Sequence, residues 1–207
     1  LKNSVMGIDA PASLPLPLYQ QASHWFRRAQ ASLLGAIPCR QGCCACCIGI
    51  FPITRLDALE LHRGLNLLPS AHKTAIVTRA RAQVASLEAA YPALKSKPGL
   101  DEWADSSIDD IVERFADLPC PALAADGSCG IYAFRPITCR TMGIPVEHDG
   151  MVHGACRVQT AVPIIRPSTS VRGDSARLVE DEAVALSILR HARPEAGDEL
   201  LLPYGFV

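Results

Sequence analysis

Five cysteines lie within nine residues, from Cys39 to Cys47, and no other feature of this chain constrains its fold as strongly. The segment reads Cys-Arg-Gln-Gly-Cys-Cys-Ala-Cys-Cys. The remaining four cysteines lie well downstream, at Cys120, Cys129, Cys139 and Cys156. Thiolates are soft, charged ligands that select zinc, copper(I) or iron–sulfur clusters. We therefore predict a fold that brings the second group of cysteines to the first around metal.

The role of these nine cysteines depends on the redox compartment. The start of the chain is interrupted by prolines and lacks the basic and apolar regions of a secretory signal. We therefore expect a cytoplasmic protein, in which cysteines serve as metal ligands or catalytic thiols. A disulfide scaffold is disfavoured, because the cysteine count is odd and bridges between adjacent cysteines are strained.

Composition excludes several classes of protein. Hydrophobic residues make up 49% of the chain and charged residues 20%, which is enough for a buried core. The formal net charge of -1 gives no basic footprint for nucleic acid. No apolar run reaches the roughly 18 residues of a membrane span, so we predict neither a nucleic-acid nor a membrane partner.

The hydrophobic pattern predicts a mainly α fold. We expect residues 1–18 to form an extended, proline-containing arm and residues 19–207 to form a single domain. About five helices should clamp an irregular, cysteine-rich centre that contains at most short strands. Five helices are predicted. They cover residues 19–34, a segment from the cap at Thr54 to Gly64 or Asn66, residues 69–91, a segment from about Ser107 to residue 118, and residues 175–192. Residues 48–53 should form a brief strand or an extended segment that shields the cysteine centre, and a short strand is predicted at 162–165. The tail 199–207 should pack back on the fold.

Capping pairs and a turn signal support these boundaries. Thr54 with Asp57, and Ser107 with Asp110, have the spacing of capping boxes at helix starts. The dipeptide at 149–150, Asp-Gly, indicates a hairpin turn.

The first cysteine loop has the spacing C-x3-C-x2-C through Cys39, Cys43 and Cys46. A short loop of this kind can wrap three thiolates around one metal or one face of a cluster. Consecutive side chains diverge, so Cys47 should point to a second metal position, to another face of one cluster, or into the core. Cys44 is the best candidate for a non-ligand.

The second cysteine region contains the tight-turn signal Asp-Gly at 126–127. This turn should fold Cys120 back toward Cys129, as in a ligand knuckle. Arg135 and the following proline should start a helical turn that carries Cys139.

Several neighbours of these cysteines are candidates for supporting roles. Arg135 and Arg140 could neutralise clustered thiolates and donate hydrogen bonds to sulfur. Tyr132 most simply packs beside the centre, although its hydroxyl could reach a sulfur. His148 and His153 are further candidate ligands, but a solvated loop histidine is more common.

Taken together, the two motifs resemble those of the YkgJ-like cysteine-cluster family, or CxxCxxCC domain, whose label leaves zinc and iron both open. The first motif is matched by Cys39, Cys43, Cys46 and Cys47. The second is matched by Cys120, Cys129, Ile131, Tyr132, Arg135, Pro136, Cys139 and Arg140. Two departures are a first gap of three residues instead of two, and Cys44 in place of a small residue such as Gly. The resemblance implies metal binding and leaves the activity open.

Two kinds of metal centre fit these ligands. The candidate metal ligands are Cys39, Cys43, Cys46, Cys47, Cys120, Cys129, Cys139 and Cys156. They could ligate one or two 4Fe–4S clusters, which the three-thiol loop favours, or form two four-thiolate zinc sites. An iron–sulfur centre predicts redox or catalytic function, with a partner or substrate that the sequence does not identify. A zinc centre predicts a structural or metal-chelating module without catalysis.

The first spacing also occurs in radical S-adenosylmethionine enzymes. Here, however, Ala45 replaces the usual aromatic residue. The chain also lacks the alternating strands and helices of a βα barrel, so we set that class aside.

Overall fold

The computed structural model describes residues 17–32, 37, 42–148, 151–154, 168–192 and 197–207. The helices within these ranges are α1 Leu18–Ala31, α2 Arg55–Leu67, α3 Ser70–Ala90, α4 Ala93–Ser96, α5 Asp105–Arg114, α6 Ile137–Thr141 and α7 Thr169–Ala192. The strands of the described residues are β1 Pro52–Thr54, β2 Val146–His148, β3 Met151–His153 and β4 Glu199–Leu201. Short 3₁₀ turns cover Ala45–Cys47, Tyr132–Phe134 and Leu202–Phe206. The mainly α prediction is confirmed.

The five predicted helices correspond to α1, α2, α3, α5 and α7. The start of α7 was predicted too late, because the helix begins at Thr169 instead of residue 175. Its first turn buries Val171 against α1, where the Trp25 indole donates to the Val171 carbonyl at 3.1 Å. Residues 92–99, for which the sequence pattern predicts no helix, contain α4, which is held by the fully buried Leu94. In each case a buried contact with another part of the chain decides the local structure.

One of the two predicted capping boxes is present. Asp57 N–H donates to the Thr54 hydroxyl at 3.3 Å, and Thr54 N–H donates to the Asp57 carboxylate at 3.4 Å. The prediction for Ser107 is wrong: α5 starts at Asp105 after Ala104, which provides no side-chain cap.

Strands play a small part in this fold. β1 pairs antiparallel with β4, and β2 pairs antiparallel with β3. The strand predicted at 48–53 is shorter and later, covering Pro52–Thr54. The predicted strand at 162–165 and the predicted turn at 149–150 lie outside the described residues. The division into an arm and a single domain stays a prediction.

The C-terminal tail packs against the segment that follows the first cysteine loop. Leu202 N–H donates to the Phe51 carbonyl at 3.0 Å, and β4 continues this contact along β1. The side chains of Leu201, Leu202 and Phe206 are buried. The prediction that the tail packs back is therefore confirmed.

The main core lies directly beneath the cysteine regions. It joins α2, α3 and the C-terminal turn through Leu61, Ile76 and Phe206. Cys120 and Cys129 pack against this core as partly buried residues. A second core around Leu87 and Ile111 supports the other end of α3.

Within the described ranges, no helix combines the length and apolar character needed to cross a bilayer.

Candidate metal centre

Backbone hydrogen bonds join the first cysteine loop to the second cysteine region. Cys120 N–H donates to the Cys47 carbonyl at 2.7 Å, and Gly49 N–H donates to the Leu118 carbonyl at 2.8 Å. These bonds hold the two chain segments side by side in antiparallel orientation. Two cysteine groups that are distant in sequence are thereby fixed next to each other.

The second region folds back on itself between Cys120 and Cys129. Ala124 N–H donates to the Ser128 carbonyl at 2.9 Å, and Gly130 N–H donates to the Ala122 carbonyl at 2.8 Å. Gly127, at the turn, has a φ of +80°, a left-handed conformation that favours glycine. The predicted turn that brings the two cysteines together is confirmed.

Cys139 reaches the same place on the short helix α6. The helix follows Pro136, and its first N–H, that of Ile137, donates to the buried Asp57 carboxylate at 2.9 Å. Since Asp57 also caps α2, one carboxylate fixes the start of both helices. The position of Cys139 therefore depends on a residue far from it in sequence.

Six thiols from these segments line one cavity of about 70 Å³. They belong to Cys43, Cys46, Cys47, Cys120, Cys129 and Cys139. Apolar side chains complete the wall, among them Phe51, Leu202 and Phe206. Cys44 does not line this cavity.

Crowding and burial perturb these thiols. A hydrogen bond from the Cys47 thiol, helped by the charge of Arg135, lowers the pKa of Cys46 to about 6. The same hydrogen bond raises the pKa of Cys47. Burial raises the pKa of Cys120 to about 12 and that of Cys139 well above its usual value. A bound cation would oppose this burial effect, because it favours the thiolate form of every sulfur around it.

The donor set suits a soft metal. All seven cysteines in the described part of the chain are free thiols. Among the described residues, no three His, Cys, Asp or Glu side chains already form a metal-binding group. Sulfurs around one zinc lie about 3.8 Å apart, as follows from Zn–S bonds of about 2.3 Å. The thiol side chains would therefore have to turn toward a common centre on binding metal.

The guanidinium of Arg135 also fits a centre built from thiolates. Its Nε atom is buried and has no hydrogen-bond partner among the described residues. Its charge lowers the pKa of Cys46 and acts in the same direction on Cys129. Buried donors are normally satisfied, so a metal-bound thiolate is a fitting acceptor here.

Both cysteine regions lie within a segment that matches one known protein family. The family model CxxCxxCC, described as "Putative zinc- or iron-chelating domain", matches residues 38–157. The match covers more than half of the chain and contains both cysteine regions. The chain belongs to the CxxCxxCC family. The resemblance noted from the two motifs is confirmed, and family membership supports metal binding.

Other comparisons add no further relative of this CxxCxxCC protein. Searches among curated proteins and among solved structures gave no match. The identity of the metal therefore has to be argued from the site itself.

Tyr132 and Arg135 lie together at the edge of the CxxCxxCC centre. The Arg135 guanidinium stacks over the Tyr132 ring, 3.8 Å from its centroid, and both residues line the cysteine cavity. Arg140 has a different environment and does not line that cavity. Its buried guanidinium donates to the carbonyls of Arg135 and Ala133 at 2.9 and 2.6 Å and to the Ser23 hydroxyl at 2.8 Å. It thus ties α6 to α1, and a direct role with the metal stays a prediction.

Some predicted ligands cannot be compared with the fold. Cys39 and Cys156 lie outside the described residues, so their membership of the ligand set stays a prediction. The backbones of His148 and His153 belong to β2 and β3, and their side chains are likewise not described.

Sequence reasoning missed most of the residues that shape the surroundings of the centre. Phe51 lies in the segment 48–53, which was expected to shield the centre if extended. Leu202 and Phe206 also wall the cavity, but in the sequence they have only the ordinary signature of core residues. Asp57 was recognised as a cap of α2, whereas its second bond, to Ile137, has no local signal. Long-range contacts of this kind require the fold.

Proposed function

We propose that this protein holds a polynuclear metal–thiolate centre, an iron–sulfur cluster in the first place, between its two cysteine regions. The observation that carries the proposal is the single cavity lined by six thiols from distant segments. Two independent zinc sites would instead favour two separate groups of four ligands.

The adjacent pair Cys46 and Cys47 supports a centre with more than one metal atom. Both side chains line the same cavity, although neighbouring side chains on a chain diverge. A cluster with several metal atoms can accept both sulfurs at different corners, whereas one tetrahedral ion accepts them with difficulty. The proposed ligands are the six cavity cysteines, with Cys39 and Cys156 as further members.

Charge balance also supports thiolate ligation. The guanidinium of Arg135 faces clustered sulfurs whose thiolate forms repel one another. Hydrogen bonds and positive charge around sulfur tune the reduction potential of iron–sulfur centres. When bound, such a centre supplies one-electron redox chemistry, and Arg135 would tune it.

One side of the proposed centre is open. Cys43, Cys46 and Cys139 line both the cysteine cavity and a larger cleft beside α1. A purely structural metal site is normally closed by protein ligands, whereas a reactive site keeps one side accessible. This openness favours a redox or catalytic role over a structural one.

A zinc centre is the second candidate. The hairpin that brings Cys120 and Cys129 together resembles the paired ligands of a zinc knuckle. In that case the protein would be a metal-chelating or zinc-stabilised module without catalysis.

The deciding experiment is metal and acid-labile sulfide analysis of protein purified without oxygen, together with its visible spectrum. We expect iron with matching sulfide and an absorption band at roughly 400 nm. Zinc without sulfide would instead establish the second candidate. Absence of both metals after anaerobic purification and reconstitution would refute the proposal.

Matched variants test the ligand set. Cys46→Ser and Cys139→Ser should lower metal content and thermal stability, because metal binding contributes directly to folding in such sites. Cys44→Ser is the control, since Cys44 lies in the same loop but does not line the cavity. Equal metal loss in all three variants would show that the cavity does not define the ligands.

A further inference from the structure

A cleft of about 900 Å³ opens beside the cysteine cavity. α1 forms one wall, and the segment from Tyr132 to α6 forms the other. Cys43, Cys46 and Cys139 lie where the cleft meets the cavity. The cleft volume is at the upper end of the range for small-molecule sites, so a metabolite-sized ligand fits.

The described lining of this cleft is rich in arginine. It contains four arginines, Arg27, Arg63, Arg135 and Arg140, against one carboxylate, Glu60. The chain as a whole has 20 basic and 21 acidic residues, so the excess of arginine over carboxylate is a local property of the cleft. Positive charge concentrated in a recess raises the local concentration of anions.

The four arginines differ in how freely they can contact a ligand. Arg140 is buried and donates to three protein acceptors, so it supports the wall. Arg63 pairs with Glu60 at 2.8 Å, but its side chain remains 66% exposed. Arg27 is exposed and forms no ion pair within the described residues. Arg27 and Arg63 are therefore available at the mouth, while Arg135 lies at the floor beside the sulfurs.

We propose that this cleft binds a small organic anion through a carboxylate or phosphate group and presents it to the metal centre. Planar guanidinium groups match the geometry of both oxyanions and bind them with charge-assisted hydrogen bonds. Arg27 and Arg63 select the anion, and the floor at Cys46 and Arg135 lies next to the proposed centre. The inference rests on the proposed function, for which it names a class of substrate.

The test is a ligand-observed NMR titration of the as-purified protein at low ionic strength. The probes are succinate, inorganic phosphate and the neutral diamide succinamide. We expect saturable binding of at least one of the two anions and none of succinamide. The tighter anion identifies which oxyanion group the cleft prefers. The double variant R27Q/R63Q should weaken anion binding by about tenfold, as two partly exposed charge contacts are lost.

The matched control is R81Q/K95Q, which removes two positive charges from exposed positions outside the cleft. Its affinity should stay within about twofold of the unaltered protein. The proposal is overturned if neither anion binds, or if the two double variants lose affinity equally. Metal analysis of the same samples, repeated after anaerobic reconstitution, separates the two proposals. Arginine-dependent anion binding to protein that takes up no metal would retain the anion site and reject the metal function.

Discussion

Replacing Asp57 by alanine should destabilise the protein and loosen the metal centre together. The carboxylate is 1% exposed and accepts the backbone N–H groups of Thr54 at 3.4 Å and Ile137 at 2.9 Å. Leaving the buried Ile137 N–H without an acceptor costs about 2 kcal/mol, and loss of the longer bond to Thr54 costs about 1 kcal/mol. Burial raises the pKa of Asp57, so removing the carboxylate recovers some of the cost of burying its charge. We expect a net loss of about 2 kcal/mol in the free energy of unfolding.

Urea denaturation of metal-loaded protein, combined with metal analysis, would measure both effects. Thr54→Ala is the matched control, because it removes the Thr54 hydroxyl that caps α2 but keeps the Asp57 carboxylate and its bond from Ile137 N–H, and it should cost about 1 kcal/mol. Asp57→Ala should also lower metal content, since Asp57 fixes the start of the helix that carries Cys139. A loss no larger than that of Thr54→Ala, with metal content unchanged, would refute this reasoning.

Two further predictions concern residues outside the centre. Burial, together with the negative charge of Asp57, raises the pKa of Glu182 from 4.5 to about 7, so the stability linked to its proton is lost as pH rises between these values. At pH 8, Glu182→Gln should therefore be more stable than the unaltered protein by about 1 kcal/mol, a value that we reduced because Glu182 is partly exposed. Urea titrations should show that this difference in the free energy of unfolding vanishes near pH 4.5. Gly64→Ala should destabilise the protein by about 1–2 kcal/mol, because a Cβ there would lie 2.6 Å from the Phe134 side chain. Gly173→Ala has open space around it and should stabilise the protein by up to about 1 kcal/mol, because alanine favours a helix more than glycine does. Thermal melts in which both glycine variants shift in the same direction would contradict the packing argument.

Local signals in the sequence predicted those parts of the fold that local interactions decide. The capping pair of Thr54 and Asp57 is present because both hydrogen bonds close within one helical turn. The turn between Cys120 and Cys129 was also predictable, since the conformation of Gly127 is a property of glycine itself. Helical periodicity likewise predicted that the five longer helices exist. It does not report the buried face of each one, since Leu59 of α2 and Ile188 of α7 are exposed.

Predictions failed where a distant contact outweighs the local signal. The sequence pattern placed Gly173 before the start of the last helix, which was predicted at residue 175. In the structure α7 includes Gly173, because Val171 packs against Trp25. Ser107 has the spacing of a cap, but α5 begins two residues earlier, at Asp105. Propensity is a weak prior, and tertiary packing overrides it at these positions.

The sequence predicted which thiols form the candidate centre, but not where in the fold they meet. The spacing of the cysteines indicated metal, whereas the hydrogen bond from Cys120 to the Cys47 carbonyl explains why the two regions meet. The cleft has no sequence signature at all, because Arg27 on α1 and Arg135 before α6 become neighbours only in the folded chain. Arginines scattered through a sequence look like a solvated surface until the fold brings them to one recess.

The construction of the cavity predicts that metal binding and folding stability are coupled. Its thiols come from the first loop, the hairpin and α6, and burial raises the pKa of Cys120 and Cys139. Among the described residues, the bond from Cys120 N–H to the Cys47 carbonyl joins the first loop to the hairpin. A metal bound by several of these thiolates would cross-link segments that are distant in sequence, so its binding free energy adds to the stability of the fold. The same cross-links would also fix the floor of the arginine-lined cleft, at Cys46 and Arg135.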